Sequence, residues 1–425
     1  MMEQTGYDPD FALNYISELE KLPRREAIAD AEETMLEALR QRIKFRAAYN
    51  ALQSPEPEAH KRGQQYAREV LQAVPYNVGM LLALSDHLRK EGQFEEAIPL
   101  LAEIKALPMQ ELILRRAFAS DPVNRATPTQ RLRELWTKTG RKDDMDQYIQ
   151  SIYDNKLLSF RRDAKPVEER PEGTGNSVVL AEVFTSSNSP DSVAADLVVS
   201  ALQEDYPDTM LVALRYHQHS HAPDPLANED TEARCFNFYL FSGSPFLLLD
   251  GRAVSNVQGT MEHTEPLYRK ARALITSRLS EETEIQVELS ANRESNSVQI
   301  QAQVEGADLS NRNLRLRIAL TESEIAYTGI NGIRSHDMVV RAMPGGYHGI
   351  KATDGALKFD GTVNLTELKQ NLNSYLTRFE QTQGQPLPGK PLDLKKLHVV
   401  AFVQDDLTRE ILQTTVIPLN IPDSE

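Results

Sequence analysis

The sequence holds a single cysteine, Cys235, among 425 residues. One thiol excludes an intramolecular disulfide and any zinc site built from cysteines. No apolar run reaches the roughly 18 residues of a membrane span, so no transmembrane segment is predicted. The first ten residues lack both the basic start and the apolar stretch of a signal peptide. The sequence therefore predicts a cytoplasmic protein, or a periplasmic or cell-envelope protein whose leader has been removed.

Basic residues are in the minority. The chain has 47 lysines and arginines against 62 aspartates and glutamates, and its formal net charge is -15 at pH 7. This balance argues against a nucleic-acid partner, because phosphate contacts require a basic surface. The hydrophobic share of 40% is ordinary for globular domains, and the length suggests two to four of them.

Residues 1–160 are predicted to form a helical domain. Apolar residues recur at helical spacing, for example at Phe11, Tyr15 and Leu22. Residues 81–108 resemble a tetratricopeptide repeat, with small residues where two helices would touch, a glycine at the turn and a closing proline. An irregular helical bundle is the alternative. Because helical repeats present concave surfaces to peptides and proteins, a protein or peptide partner is expected here.

The remaining chain is predicted to contain a linker and two further domains. Residues 161–176 combine charge, proline and glycine without apolar periodicity, which indicates a linker. Residues 177–281 alternate strand and helix signals, with a helix over residues 228–242, and predict an α/β domain. Residues 282–425 show the period-two alternation of antiparallel strands, with one helix over residues 365–379, and predict a β-sandwich. The expected fold class is multidomain: N-terminal helical repeats, a central α/β domain and a C-terminal antiparallel β-sandwich.

A short motif, Ser189-Pro190-Asp191-Ser192, lies between an apolar strand over residues 178–184 and a predicted helix over residues 191–203. In a thiol oxidoreductase a Cys-x-x-Cys occupies this place, because the helix N-terminus lowers the pKa of the nucleophilic thiol. Serine at both positions forms neither a thiolate nor a disulfide. No Gly-x-Ser-x-Gly elbow surrounds Ser189, so a helix-capping role is expected rather than nucleophilic attack.

Nine short segments carry a family resemblance through their order and spacing: residues 182–185, 193–196, 215–219, 223–228, 232–234, 243–251, 325–327, 332–336 and 339–341. Together, residues 177–420 resemble a bacterial group of thioredoxin-like proteins that is related to outer-membrane-associated proteins and has a C-terminal β domain. The resemblance implies a thioredoxin fold over residues 177–281 with degenerate dithiol positions Ser189 and Ser192. It also implies that Pro245 is a structural cis-proline that faces the motif.

Three alternating histidines, His217, His219 and His221, are followed by Asp224. On an extended segment these imidazoles would share one face, and imidazole with carboxylate suits zinc, copper or nickel. However, Pro223 disfavours a single extended segment, and the resemblance implies no metal at this place. No metal is therefore expected, and these four residues are the candidates if one binds.

Three other features receive structural interpretations. Cys235 lies among aromatic residues and is expected to be a small buried side chain. His336 and Arg341 flank an apolar strand and are expected to be structural, with a paired polar site as the alternative. The glycine-rich residues 345–349 lack the following helix of a phosphate-binding loop, so a turn is expected.

No catalytic residue and no cofactor is expected. The favoured function is a non-catalytic interaction or scaffold protein, built on a redox-inactive thioredoxin-like domain with protein-binding helical repeats. Two alternatives stay open. One is a thioredoxin-fold relative with residual or unfamiliar activity, and the other is a metal-binding protein that uses His217, His219 and His221.

Overall fold

The computed structural model describes residues 8–22, 29–117, 127–161, 164–170, 174–220, 222–308 and 313–419. The chain divides into two compact units, residues 1–159 and 160–425. The first unit is helical and the second is mixed α/β with several sheets, which confirms the predicted N-terminal helical region. Within the described ranges, no helix is long and apolar enough to cross a membrane.

The described part of the first unit contains eight α-helices. They are α1 (Pro9–Glu20), α2 (Ala29–Leu52), α3 (Pro57–Ala73), α4 (Val78–Lys90), α5 (Phe94–Ala106), α6 (Gln110–Ala117), α7 (Pro128–Lys138) and α8 (Met145–Lys156). Helix α2 packs on α3, α4 packs on α5, and α5 also contacts α7 and α8. Buried apolar side chains such as Leu81, Leu84, Ile98 and Leu101 form their common core.

Local sequence explains where these helices begin and end. The side chain of Asn77 accepts a hydrogen bond from the Met80 N–H and caps α4. At the other end of α4, Gly92 has a φ of 78°, a left-handed conformation that glycine adopts without strain. The N–H of Gly92 bonds to the Arg89 carbonyl and that of Gln93 to the Leu88 carbonyl, as in a Schellman motif. The predicted glycine turn between α4 and α5 therefore has its physical basis in this motif.

The second unit contains an eight-stranded sheet, a three-stranded sheet and a two-stranded sheet within its described residues. Its strands are β1 (Val179–Thr185), β2 (Leu211–His217), β3 (Phe246–Leu249), β4 (Arg252–Ala253), β5 (Gln286–Glu294), β6 (Ser297–Glu305), β7 (Leu314–Ser323), β8 (Ile325–Ala326), β9 (Ser335–His336), β10 (Val339–Ala342), β11 (Leu357–Asn364), β12 (Lys396–Asp405) and β13 (Ile411–Pro418). Its α-helices are α9 (Val193–Asp205), α10 (Glu229–Glu232), α11 (Thr264–Leu279) and α12 (Leu365–Gln383).

The large sheet has the strand order β13-β12-β7-β10-β2-β1-β3-β4. Strands β1 and β2 are parallel, joined through α9, and buried along their whole length, which explains their nearly continuous apolar sequences. Strand β3 runs antiparallel to β1, and the Ser244–Pro245 peptide bond just before it is cis. Because β1 and β2 are parallel, the segments after Thr185 and after His217 emerge at the same edge of the sheet.

The antiparallel strands of residues 282–425 largely continue this sheet. Val339 of β10 pairs with Arg215 of β2, and β10 is followed in the sheet by β7, β12 and β13. The second, three-stranded sheet (β11-β6-β5) shares a core with β7, formed by side chains such as Ile300 and Leu316. The expected boundary at residues 281–282 therefore lies inside the second unit, because backbone pairing joins the strands on either side of it.

The predicted linker is in contact with the second unit where the structure describes it. The Arg170 guanidinium donates hydrogen bonds to the carbonyls of Gly175, Ser177 and Thr209. The Val167 N–H also bonds to the Asp205 carbonyl at the end of α9. These bonds hold residues 167–170 against the α/β part of the unit.

Two local predictions have different outcomes. Residues 345–349 form turns, with Gly345 and Gly346 at φ values of 88° and 77°. The helix expected over residues 228–242 is shorter and irregular: α10 has one turn and continues as a π-helical turn, Ala233–Phe238. This turn carries Arg234, whose buried side chain contacts β1.

Candidate functional site

Residues 186–192 follow β1 and carry the two serines of the degenerate motif, and we call them the serine loop. They end in a short 3-10 turn, Pro190–Ser192, which leads into α9. Ser189 and Ser192 are both fully buried. The Ser192 hydroxyl accepts a hydrogen bond from the Ser186 N–H at 3.3 Å, whereas the Ser189 hydroxyl has no hydrogen-bond partner among the described residues. Ser189 precedes the turn as its N-cap residue, but its side chain makes no capping bond, so the expected capping role of this hydroxyl is wrong.

The loop after β2 packs directly against the serine loop. One carboxylate oxygen of Asp224 accepts the Ser187 N–H at 2.7 Å and faces Nδ1 of His217 at 3.0 Å. The Asn188 side chain donates to the Pro223 carbonyl at 2.6 Å. The two loops meet because parallel β1 and β2 end at the same edge of the sheet.

A third segment, between β8 and β9, covers the serine loop from another side. The Asn331 N–H donates to the Ser187 carbonyl at 3.0 Å, and the Ile330 N–H donates to Oδ1 of Asn188 at 2.9 Å. A Cβ atom on Gly329 would lie 2.1 Å from the Ser187 carbonyl oxygen, so only glycine allows this approach. The serine loop is therefore enclosed by segments of the same chain, and Ser186, Ser187 and Ser189 are buried.

The histidines of the predicted cluster do not lie on one shared face. His217 is the last residue of β2 and points its Nδ1 at Asp224. His219 lies beyond the strand, where its Nδ1 accepts the Asp224 N–H at 2.9 Å. Its ring stacks on Phe379, with ring centroids 3.4 Å apart. His221 lies outside the described residues. The strand ends too early for the period-two alternation to apply to His219.

Charge and burial set the protonation of this cluster. Burial opposes ionisation of Asp224, but the neighbouring His217 and the N–H groups of Leu226 and Ser187 hold its pKa at about 2. Burial lowers the pKa of His219 to about 4. Beneath the loop, burial raises the pKa of Asp196, which accepts the Thr185 hydroxyl at 2.5 Å. The result is an ionised Asp224 inside a network of fixed hydrogen bonds.

His336 and Arg341 do not form a paired polar site, because each side chain has its own partners. Nε2 of His336 donates to the Tyr327 carbonyl at 3.1 Å, and the ring meets His217 edge-on at 5.1 Å between centroids. Arg341 instead forms an ion pair with Glu322. Both side chains are buried and have partners, as a structural role requires.

The single cysteine is not a nucleophile. Cys235 is fully buried in the π-helical turn, with its Sγ 3.7 Å from the Gly243 carbonyl oxygen. Burial raises the pKa of its thiol to about 12. Because the thiolate is the reactive form, this thiol is unreactive at neutral pH.

A buried ion pair beside Cys235 escaped the sequence reasoning. Arg234 forms hydrogen bonds with both carboxylate oxygens of Glu182, at 2.9 and 3.1 Å. The Tyr239 hydroxyl donates to Glu182 at 2.6 Å, and the Gln404 side chain accepts from Arg234 at 2.8 Å. The sequence did contain one indication of this ion pair, because Glu182 is an acidic residue inside an otherwise apolar strand and needs a partner when it is buried. The network joins β1, the π-helical turn and β12.

A second cluster lies in the helical unit. His60, His87 and Glu91 offer ligand atoms that all lie within 4.8 Å of one another, the one such group of histidine, cysteine and acidic side chains in the described part of the chain. Sequence reasoning missed it because His60 is distant along the chain. The spacing of His87 and Glu91, four residues apart on a helix, was the available local signal.

Comparison with known proteins gives little further evidence. No family model matches the chain, and no curated protein matches it. Among solved structures, the chain is similar to HBP35 of Porphyromonas gingivalis, with 13% sequence identity and a TM-score of 0.40. That match covers 60% of this chain and 80% of the other. At this distance the similarity carries no argument about function.

Proposed function

We propose that this chain is a non-catalytic interaction protein, in which a thioredoxin-like α/β region that lacks the Cys-x-x-Cys dithiol is combined with a partner-binding helical region. The strand order β2-β1-β3-β4, with α9 between the parallel pair and α11 after β4, supports the thioredoxin-like interpretation. The pairing of α4 and α5 around the Gly92 turn supports the tetratricopeptide-like interpretation of residues 81–108.

The observation that carries the non-catalytic part is the buried serine loop. Ser189 and Ser192 occupy the positions where dithiol chemistry would require thiols, and neither side chain is exposed. Cys235, the chain's only thiol, is buried elsewhere. A peptide groove at the serine loop would need an exposed face, but residues 223–226 and 329–331 already cover it. The partner surface is therefore expected elsewhere.

Exposed apolar side chains favour the helical region as that surface. Six of the eleven large hydrophobic residues that are exposed in the described chain lie on α1, α2 or just after α1. Phe11 and Tyr15, one helical turn apart on α1, are 73% and 59% exposed, and Met35 on α2 is 62% exposed. A concentration of exposed apolar side chains is typical of a protein interaction site.

The absence of thiol chemistry is tested by insulin reduction in the presence of dithiothreitol. The wild-type chain is expected to give no rate above buffer, and a clear acceleration would contradict the proposal. The variant Ser189→Cys with Ser192→Cys tests the loop geometry separately. If the loop is thioredoxin-like, oxidation should leave one free thiol per unfolded chain, that of Cys235, instead of three.

Partner binding is tested by capture on the immobilised full chain. The variant Phe11→Ser with Tyr15→Ser should lose proteins that the wild type retains, because their apolar contact is removed. The matched control is Leu240→Ser with Leu407→Ser, which changes two side chains of similar exposure in the second unit. Circular dichroism checks that both variants remain folded. Equal capture by all three proteins would contradict a partner site on α1.

A further inference from the structure

Two helices of the first unit bring three metal-binding side chains together. His60 lies in the first turn of α3, His87 in the last turn of α4, and Glu91 immediately after α4. Nδ1 of His60 is 3.7 Å from a carboxylate oxygen of Glu91, and the two imidazole rings meet edge-on at 4.6 Å between centroids. The cluster lies wholly within the helical unit, and the proposed interaction function does not depend on it.

Backbone carbonyls fix the orientation of both imidazoles. Nε2 of His60 is 2.7 Å from the Ser54 carbonyl oxygen, and Nδ1 of His87 is 3.2 Å from that of Leu52. A carbonyl only accepts, so each of these nitrogens carries the proton. The lone pairs therefore lie on Nδ1 of His60 and Nε2 of His87. Such a carbonyl contact on the remote ring nitrogen is the usual support for a metal-bound histidine.

The lone pair on Nε2 of His87 already has a hydrogen-bond partner in α3, the Gln64 side chain. The Gln64 side-chain amide lies 3.2 Å from Nε2 of His87 and donates to it. This contact agrees with the tautomer that the Leu52 carbonyl imposes. An ion could take the place of this one hydrogen bond after the Gln64 side chain rotates.

An ion pair alone does not explain the arrangement of both histidines. A metal binds the lone pair of a neutral imidazole, and the hydrogen bond from Nδ1 of His87 to the Leu52 carbonyl leaves that lone pair on Nε2. A simple ion pair between protonated His60 and Glu91 would not use the lone pair of His87. Access is also available, because the His60 and Glu91 side chains are 21% and 47% exposed, whereas His87 is buried.

We propose that His60, His87 and Glu91 bind a divalent transition-metal ion, with zinc as the preferred metal. Two imidazoles and one carboxylate are a common protein ligand set for zinc, and water completes a four-coordinate site. The ion would join the start of α3 to the end of α4. Metal binding should therefore stabilise the helical unit, since an ion that binds only the folded state shifts the folding equilibrium.

The test uses the full chain after treatment with a chelator. Titration with zinc chloride should show one tight equivalent by calorimetry and a rise in melting temperature. Cobalt(II) should give the intense visible absorption of a tetrahedral site. His60→Gln and Glu91→Gln should each weaken zinc binding at least about tenfold, since even the loss of a group that only orients a metal ligand often costs about 10–100-fold in affinity. Glu91 is exposed and His60 is partly exposed, so these variants should fold, as circular dichroism of the metal-free proteins will check.

Two controls separate this site from adventitious binding. Glu58→Gln removes an exposed carboxylate from the same helix α3, and His348→Ala removes an exposed imidazole from the second unit. Both should bind zinc as the wild type does. Absence of a zinc equivalent, or unchanged affinity in His60→Gln and Glu91→Gln, would overturn the proposal. Loss of binding in His219→Ala instead would assign the metal to the histidine run after β2.

Discussion

At the scale of single residues, burial decides the behaviour of the histidines. His336 is surrounded by His217, Asp224, Arg215 and the Tyr327 carbonyl, and it is fully enclosed by protein. Burial, assisted by His217, lowers its pKa to about 3. The side chain is therefore neutral in the folded protein throughout the ordinary pH range, whereas in the unfolded chain it gains a proton below about pH 6.5.

This difference predicts a loss of stability in acid. Between about pH 6.5 and pH 3 the unfolded chain binds a proton at His336 that the folded chain does not, so the free energy of unfolding falls as the pH falls. By pH 5 the contribution of His336 to this loss is about 2 kcal/mol. His336→Gln retains a donor for the Tyr327 carbonyl and should remove that part of the pH dependence.

Urea unfolding at pH 7 and pH 5, followed by circular dichroism, measures the effect. The control is His348→Gln, which removes an exposed histidine from the same unit. If the free energy of unfolding had the same pH dependence in the wild type and in His336→Gln, then His336 would take up its proton equally in the folded and the unfolded chain, and the prediction would be wrong.

At the scale of elements, two glycines at opposite ends of α4 have opposite roles. Gly92 has a φ of 78° and ends the helix, whereas Gly79 lies inside its first turn with ordinary space around it. A Cβ atom on Gly79 would meet Phe45 at 3.5 Å, a normal contact distance. A Cβ on Gly92 would meet no atom within 4 Å, so only its backbone conformation opposes substitution.

Alanine substitution should therefore change stability in opposite directions. Gly92→Ala should lower the free energy of unfolding by about 1–2 kcal/mol, because a non-glycine residue is strained in the left-handed conformation. Gly79→Ala should raise it by about 0.5–1 kcal/mol, because alanine favours the helix interior. Each variant is the control for the other in thermal or urea unfolding. A stabilising Gly92→Ala would show that the Schellman turn is absent in solution.

At the scale of the whole molecule, the continuous sheet determines which fragments can fold. Strand β2 is covered on one side by β1 and on the other by β10, which lies more than 120 residues later in the chain. A fragment that stops at residue 281 would leave that edge of β2 unpaired. Unpaired edges of this kind promote aggregation.

Fragments should behave accordingly. Residues 1–159 should give a cooperative helical protein, and residues 160–425 should give a soluble monomer with a single unfolding transition. Residues 160–281 should aggregate. Size-exclusion chromatography and thermal unfolding compare the three, with the full chain as reference. A monomeric, cooperatively folded 160–281 fragment would mean that the α/β region does not depend on β10.

Elements with a local periodicity were predictable from the sequence alone. The helical spacing before residue 160, the apolar runs of β1 and β2 and the alternation of β5 and β6 all follow from which faces are buried, and short-range geometry decides that. The absence of a dithiol at Ser189 and Ser192 was also evident, because the sequence gives the identity of each residue directly. The end of β2 at His217 was less predictable, since Pro223 indicated only that the extended segment stops before it.

Contacts between residues far apart in the chain were not predictable in this way. Strand pairing between β2 and β10 merged two predicted domains into one sheet, and no local pattern specifies a partner so far along the chain. The same pairing brought residues 329–331 over the serine loop and closed it. Likewise, His60 meets His87 only because α3 and α4 pack together, and Glu182 is tolerated in β1 only because Arg234 reaches it from the π-helical turn. Long-range contacts of this kind depend on packing free energy, which a linear pattern does not contain.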